Sequence, residues 1–249
     1  MTDSTYDPKK VFFNRLEEEG LTDKLADTAI RSTRSNLPRQ IVKLIERGGC
    51  SEPKEIDSAL ACNILESNAH PYEELLTYFG IEPTKSHMRL FAKVPTTASL
   101  LEELKDDCIL VPYVPMSIIE LRKKAPELFY SLNPVWWYDN ERFANKREKA
   151  GWHLLYKTEI PGSTEDEWEN IIPANCMIPS PTILSFGIIL HRITRGKSLF
   201  PDVYVRCDAQ DSRGIPVRLG HTSDGLLGFV NRWGGRRGSV VGVAREYKL

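Results

Sequence analysis

Residue types that could do chemistry gather in the stretch GHTSDG, where His221, Ser223 and Asp224 lie within four positions of one another. A hydrolase triad needs three side chains that converge in space, and three residues of one turn rarely achieve that geometry. The Asp-Gly pair at 224–225 more simply predicts a tight turn in which glycine supplies a positive φ. We therefore expect no catalytic residue in this stretch or elsewhere, and no enzyme.

Other polar residues do not form a convincing metal or cofactor site. Asp208, Asp211 and Ser212 resemble a loose calcium loop, but the glycine and terminal glutamate of the EF-hand pattern are absent. His153 and His191 have no partner ligands nearby in the sequence, so we interpret both as structural. The cysteines are odd in number and none forms a C-x-x-C pair, which argues against zinc and disulfides and favours reduced thiols; they are Cys50, Cys62, Cys108, Cys176 and Cys207.

The glycine- and arginine-rich run at 232–238 could contact an anion, because arginine and glycine-rich backbone both suit phosphate. It matches neither G-x-x-x-x-G-K-[ST] nor G-x-G-x-x-G, and arginine with aromatics would also suit a nucleic acid. Residues 211–249 hold seven basic and three acidic side chains, a net charge of +4, although the whole chain has −1. This asymmetry favours an acidic partner for the C-terminal region.

The elements that must position these residues differ between the two halves of the chain. Residues 1–105 show helical spacing of apolar positions, with glycine stops. A strand is predicted at 152–156, then a short acidic helix that Ser163 or Thr164 caps and that carries Trp168, then a long apolar helix from Pro181 to Arg195. Four strands follow as an antiparallel meander, at roughly 203–207, 215–219, 226–232 and 240–245. The pattern predicts an α+β fold.

The aromatic triplet Trp136-Trp137-Tyr138 admits two interpretations. It could be a stacking platform for a ligand, but three aromatics beside a proline are more often core and rim packing. We favour packing.

The composition of the C-terminal region is unusual. The 35 residues from Asp211 to Arg245 contain no Lys, Glu, Gln or Met, although these types make up 42 of the 249 residues of the chain. Strand and turn preferences account for part of this depletion. The same four types are among those that cannot arise when the adenines of AAC or AAT codons are randomised.

A set of spaced residues in this region resembles a known family. The sequence has Asp-Gly-Leu at 224–226, then Trp233, Arg237 and Val-Gly-Val at 241–243, with the spacing W-x-x-x-R-x-x-x-V-G-V. This pattern is similar to that of the variable proteins of diversity-generating retroelements, especially the types found in archaea, their viruses and small-genome bacteria. In those proteins a reverse transcriptase copies a template repeat, with adenine errors, into the 3′ end of the gene. The variable residues are carried on a C-type lectin fold.

The resemblance implies a division of roles among the C-terminal residues. Trp233, Arg237 and Gly242 would be fixed scaffold, within a variable segment of about 217–241. Phe229 and Arg232 would be anchors for the ligand, since aromatics and arginine dominate binding hot spots. The full ligand-contacting set, with side chains facing outward, would be His221, Thr222, Leu227, Gly228, Phe229, Val230, Asn231, Arg232, Gly234, Gly235, Arg236, Gly238, Ser239 and Val240. The calcium-lectin signatures Glu-Pro-Asn and Trp-Asn-Asp are absent, so neither calcium nor sugar binding is expected.

Together these observations predict a helical N-terminal region over 1–105 and a C-type-lectin-like domain over 106–249. The predicted function is non-enzymatic binding of an unknown protein or other macromolecule through a diversified surface, without a cofactor. The alternative is a nucleic-acid-associated protein that uses the basic C-terminal surface. The start of the sequence, MTDSTYDPKK, lacks the apolar core of a signal peptide and no 18-residue apolar stretch exists, so we expect no membrane span and an intracellular or virion-associated protein.

Overall fold

A computed structural model gives the fold of the chain and describes Thr22 and the ranges 54–82, 84–130, 136–163, 172–201, 203–222, 225–230 and 241–249. The chain divides into two compact units, residues 1–52 and residues 53–249. The fold described below is that of the second unit. It is a mixed α+β structure, as predicted.

Four of the seven helices described in this unit begin after a residue whose side chain caps them. Thr84, Thr97, Ser117 and Ser180 each accept a backbone N–H three residues onward, which satisfies a donor that the first helical turn leaves unpaired. The helices are α1 (Ser58–Leu65), α2 (Glu73–Phe79), α3 (Lys85–Phe91), α4 (Ala98–Leu104), α5 (Ile118–Lys124), α6 (Arg142–Asn145) and α7 (Pro181–Arg195).

Helix α7 forms the centre of the core. Every residue from Pro181 to His191 is buried, and Gly196 ends the helix in the left-handed conformation at φ +67°. Both its bounds and its burial agree with the prediction. The helix contacts strands of two separate sheets, and a Cβ added at Gly187 would lie 2.4 Å from Leu155 Cδ1, so glycine permits this close packing.

The strands form three sheets. They are β1 (Ile56–Asp57), β2 (Lys93–Val94), β3 (Cys108–Tyr113), β4 (Gly151–Tyr156), β5 (Cys176–Met177), β6 (Tyr204–Gln210), β7 (Pro216–His221), β8 (Leu227–Val230), β9 (Val241–Val243) and β10 (Glu246–Tyr247). Strands β1 and β2 pair with each other. The first large sheet is antiparallel in the order β3-β4-β10-β5, and the second has the order β8-β7-β6-β9.

The second large sheet corrects the predicted four-strand meander. Strands β6, β7 and β8 are a meander, but β9 does not form a hairpin with β8. Instead β9 pairs in parallel with β6 at the opposite edge of the sheet. Residues 231–240 therefore connect the two edge strands. Strands β8 and β9 run in the same direction because each is parallel to β6.

The helices of residues 58–104 pack on the same core as the sheets. The Phe91 ring lies 5.4 Å from Trp152 of β4, the Phe79 ring lies 5.5 Å from Phe186 of α7, and the His70 N–H donates to Leu110 O at 2.9 Å. The predicted division after residue 105 therefore differs from the structure, in which the chain divides between residues 52 and 53. The short helix predicted around Trp168 lies outside the described residues.

Among the described helices, none is long and apolar enough to cross a membrane.

Candidate functional site

The predicted ligand-contacting residues fall into two groups. His221, Thr222 and the strand Leu227–Val230 are described by the structure, and so is Gly242 of the predicted scaffold. The remaining predicted positions lie outside the described residues, namely Asn231, Arg232, Trp233, Gly234, Gly235, Arg236, Arg237, Gly238, Ser239 and Val240.

Two residues of strand β8 are buried instead of facing outward. Leu227 is 1% exposed and Phe229 is 8% exposed, and both belong to the main core. They point inward because residues two apart in a strand share a face, and Phe229 pairs with the buried Leu219 of β7. The predicted outward orientation, and with it the assignment of Phe229 as an exposed anchor, is therefore wrong for these two residues.

An aromatic cluster holds Phe229 in place. The Phe229 ring lies 4.6 Å from Tyr138, 6.3 Å from Phe143 and 6.4 Å from Phe129, measured between ring centroids. The Arg122 guanidinium lies 4.4 Å from the centroid of Trp136 and pairs with Asp139 at 2.7 Å, which closes the far side of the cluster. The preference for packing over a stacking platform is confirmed for Tyr138, which is 1% exposed.

Tyr130 and Trp137 cover the free edge of strand β8. The Tyr130 N–H donates to Leu227 O at 2.9 Å, and the Trp137 indole N–H donates to Phe229 O at 3.1 Å. An uncovered edge strand would leave these carbonyls unpaired and open to pairing with other chains. The strand that leads into residues 231–240 is thus fixed on its core face and along its edge.

The opposite face of this sheet, which we call the outer face, consists of Tyr204, Arg206, Arg218, Gly220, Gly228 and Val230. Gly220 and Gly228 pair with each other, and the Tyr204 ring lies over them. A Cβ at Gly220 would be 2.6 Å from Tyr204 Cδ1, and one at Gly228 would be 3.6 Å from Tyr204 Oη. Only glycine at position 220 leaves room for the ring.

Two arginines lie side by side on the outer face. Arg206 of β6 is directly opposite Arg218 of β7, which in turn is opposite Val230 of β8. Burial, and then the charge of Arg206, lower the pKa of Arg218 from its ordinary value. Neighbouring like charges on adjacent strands repel. Arg218 is only 5% exposed and Arg206 is half-buried, so Arg206 is the arginine of this pair that a ligand could reach.

Gly242 lies where strand β9 meets the loop after β4. A Cβ at Gly242 would be 2.6 Å from Glu159 Cβ, and the next residue, Val243, donates its N–H to Ser163 Oγ at 2.9 Å. Larger residues would push β9 away from this loop. The geometry suits the predicted scaffold role of Gly242.

His221 and Thr222 flank the tight turn before β8. Gly225 has φ +75°, as the Asp-Gly pair predicts, and the Thr222 N–H donates to Leu226 O at 2.9 Å. His221 Nδ1 lies 3.1 Å from Gly225 O, and burial lowers the pKa of its imidazole. Both residues are half-buried and serve the turn through these bonds.

A buried polar cluster, which the sequence does not predict, lies between α2 and α7. His70 Nδ1 lies 2.8 Å from Glu74 Oε2, His70 Nε2 lies 3.0 Å from His191 Nδ1, and Arg195 Nη1 lies 2.7 Å from Glu74 Oε1. The available signal was a pair of polar i, i+4 spacings, 70/74 and 191/195, but nothing in the sequence indicates that they meet.

Burial and the contacts among its own members determine the pKa values of this cluster. Burial, followed by the neighbouring His70, lowers the pKa of His191 to about 4, and burial likewise lowers the pKa of His70 although its bond to Glu74 opposes the change. For Glu74, burial would raise the pKa, but bonds from His70 and Arg195 outweigh it and the pKa is lowered. With His70 fully buried, the cluster joins two helices and offers no imidazole to a substrate.

The remaining candidates of the sequence also have structural surroundings. His153 Nδ1 lies 2.6 Å from Glu246 Oε1, across the first large sheet. Asp211 accepts from the backbone N–H groups of Arg213 and Ile215, both at 2.9 Å, in a tight turn. Cys62, Cys108, Cys176 and Cys207 are free thiols. In the part of the chain that the structure describes, no group of three or more His, Cys, Asp or Glu side chains could hold a metal ion.

Comparisons with protein-family models, with curated proteins and with solved structures gave no match for this chain. The candidate site is therefore defined by the structure alone. It comprises the outer face and the strand ends at Val230 and Val241.

Proposed function

We propose that this chain is a non-enzymatic ligand-binding protein with a C-type-lectin-like fold, whose C-terminal surface is diversified by adenine-directed mutagenesis from a retroelement. The observation that carries the proposal is the position of residues 231–240, between strands fixed at opposite edges of one sheet. A surface that must tolerate change needs a backbone that the variable side chains do not hold in place.

The distances favour such a design. Three strand spacings separate β8 from β9, or about 14 Å, whereas ten residues can reach about 33 Å when extended. The connection is thus longer than the gap that it must bridge, and the strands at its two ends are held by contacts of their own. Strand β8 is braced by the aromatic cluster, and β9 by the loop that carries Glu159 and Ser163.

The order of elements also supports the proposed fold. Strand β4 is followed by the long helix α7 and then by strands β6 to β9, and the later strand β10 returns to pair with β4. The resemblance implies a strand, two helices and a meander. Strand β4, helix α7 and the meander β6–β8 follow that order, whereas β9 departs from the meander and the short helix lies outside the described residues.

The packing narrows the set of positions that we propose to be diversified. Leu227 and Phe229 are core residues, and Gly228 lies beneath Tyr204, so these three join Gly242 as support. His221 and Thr222 hold the turn before β8 through side-chain bonds to Gly225 and Leu226, so they too count as support. The proposed variable positions are then Val230 and residues 231–240 except Trp233 and Arg237.

The proposed ligand presents acidic groups to this surface. The half-buried Arg206 lies on the outer face beside the buried Arg218, at the level of Val230, where residues 231–240 begin. Arg232 and Arg236 add further positive charge in the sequence. Affinity should therefore weaken as salt is added.

The proposal is tested by sequencing the gene and its flanks from independent isolates. We expect a near-copy of the 3′ end that differs at adenines, a reverse transcriptase gene beside it, and changes confined to the proposed variable codons. Codons 227–229 and 242 should encode the same residues throughout. A locus with neither the near-copy nor the reverse transcriptase would overturn the proposal.

One observation favours the alternative of nucleic-acid binding, since the half-buried Tyr204 and Arg206 lie on one face, where a ring could stack on a base and a guanidinium could contact a phosphate. Fluorescence anisotropy with a single-stranded oligonucleotide tests it. Salt-dependent binding that is lost in the double variant Arg236→Ala/Arg237→Ala would support this alternative. Absence of binding at low salt would reject it.

A further inference from the structure

A cleft of about 610 Å³ opens between helix α3, the loop after strand β3 and helix α5. None of its lining residues belongs to the predicted variable segment. Its volume is within the range of about 300–1,000 Å³ that is typical of small-molecule sites. Ile81, Val114 and Met116 supply an apolar floor, of which Val114 and Met116 are buried.

The rim of the cleft is cationic. Lys123, Lys124 and Arg147 line it, with Glu120 as the one lining carboxylate. Lys123 is exposed and makes no hydrogen bond or ion pair with any residue that the structure describes. The rim thus carries three positive charges against one negative charge.

Glu120 is already committed to its own partners. It accepts from the Ser117 N–H at 2.9 Å and from Arg147 Nε at 2.8 Å, in the capping box of α5. Burial would raise its pKa, but these bonds outweigh that effect and lower the pKa below its ordinary value. The carboxylate remains ionised and neutralises Arg147, which leaves the two lysines as the excess positive charge. Lys124 Nζ already donates one hydrogen bond to Phe79 O at 2.5 Å, so Lys123 is the lysine whose ammonium makes no bond to a described residue.

A polar atom in the wall of the cleft has no hydrogen-bond partner among the residues that the structure describes. This atom is the buried His87 Nδ1, and the His87 ring packs against Phe91 with centroids 6.2 Å apart. A buried polar atom without a partner is costly, and native structures have few of them. Because Nδ1 has almost no exposed surface, a ligand oxygen can reach it only after the imidazole ring rotates, and it would then accept a hydrogen bond from Nδ1–H.

We propose that the cleft binds a small organic anion with an apolar body. Its carboxylate or phosphate lies between Lys123, Lys124 and His87, and its apolar part covers Val114 and Met116. The site is separate from the diversified surface and would be constant among variants of the protein. This site is not part of the function proposed above, because it would bind a small molecule through residues outside the variable segment.

The test uses calorimetric titration of the full chain with decanoate and decyl phosphate, below their micellar concentrations. We expect saturable binding with one site for at least one of them, and the ratio of the two affinities identifies the preferred head group. Decyltrimethylammonium, which has the same tail and a positive head, should not bind. Acetate, which has the head alone, should bind at least about tenfold more weakly because it buries no apolar surface.

Two charge-reversal variants are matched to this prediction. Lys123→Glu should weaken the preferred anion by about tenfold or more, because it reverses a charge at the rim. Lys197→Glu makes the same change at an exposed lysine that does not line the cleft, and should leave the affinity unchanged. His87→Phe keeps the ring against Phe91 and removes Nδ1, and it should also weaken binding.

Three results would overturn the proposal: no saturable binding of either anion, equal binding of decyltrimethylammonium, or equal effects of Lys123→Glu and Lys197→Glu. Circular dichroism of each variant confirms folding before titration. Because Lys123 is exposed and unpaired among the described residues, its substitution separates loss of the site from loss of the fold.

Discussion

Replacing Phe229 by alanine should destabilise the protein strongly. The side chain is 8% exposed and its ring contacts three others, with Tyr138 as near as 4.6 Å. Truncating a buried phenylalanine typically costs about 3–5 kcal/mol, the sum of lost transfer free energy and an unfilled cavity. We expect a value near 3 kcal/mol, because the surrounding rings can partly close the space.

The matched control is Val230→Ala in the same strand. Val230 is half-buried and on the outer face, so its truncation should cost less than about 1 kcal/mol. Urea unfolding followed by tryptophan fluorescence measures both. With a slope on the order of 2–3 kcal/mol per molar urea, the midpoint for Phe229→Ala should fall by about 1–1.5 M.

This comparison discriminates between two roles for position 229. If Phe229 were an exposed ligand anchor, its loss would leave the urea midpoint unchanged, like that of Val230→Ala. Equal midpoints for the two variants would refute the assignment of Phe229 to the core and return it to the variable surface. A large difference would confirm that Phe229 is a core residue and, under the proposed function, that codon 229 is not among the variable ones.

Three further outcomes follow from the same packing. Gly242→Ala should cost about 1–3 kcal/mol in urea unfolding, because its Cβ would lie 2.6 Å from Glu159 Cβ; unchanged stability would show that the loop yields freely. Trp137→Phe removes the indole N–H that donates to Phe229 O, and it should lower the free energy of unfolding by about 1 kcal/mol. The urea midpoint of Trp137→Tyr, which also lacks the indole, serves as a second comparison. Acid should destabilise the fold through His191, whose pKa is lowered to about 4 by burial, since the unfolded chain then binds a proton at a pH where the folded chain does not. That contribution is full above about pH 7 and is reduced by about 2 kcal/mol at pH 5, so unfolding free energies measured from pH 7.5 to 5 should fall less steeply in His191→Gln.

The elements that sequence predicted best are those with a strong local signal. Helix α7 combines an N-terminal Ser-Pro, a continuous apolar run and a terminal glycine, and its predicted bounds are those observed. The strand positions of the C-terminal sheet were also close, because turn residues separate them. Local chemistry therefore fixed where elements begin and end.

What the sequence did not reveal depends on pairing between distant residues. The parallel pairing of β9 with β6 requires the chain to cross the sheet, and no local signal distinguishes that from a hairpin. The spacing of two between Leu227 and Phe229 does predict that both side chains lie on one face of the strand. The prediction that all residues of this run face outward is incompatible with that alternation. The Glu74–His70–His191 chain joins residues more than 100 positions apart, which no spacing rule connects.

Strands β9 and β10 lie directly after residues 231–240, and each completes a different sheet. A substitution in that connection leaves both strands intact, whereas a shift of reading frame there rewrites both at once. The product would lack an edge strand in one sheet and an interior strand in the other, and proteases remove chains that expose such unpaired backbone. If residues 231–240 are diversified as proposed, the position of the last two strands downstream of them makes folding of the unit depend on a correct reading frame.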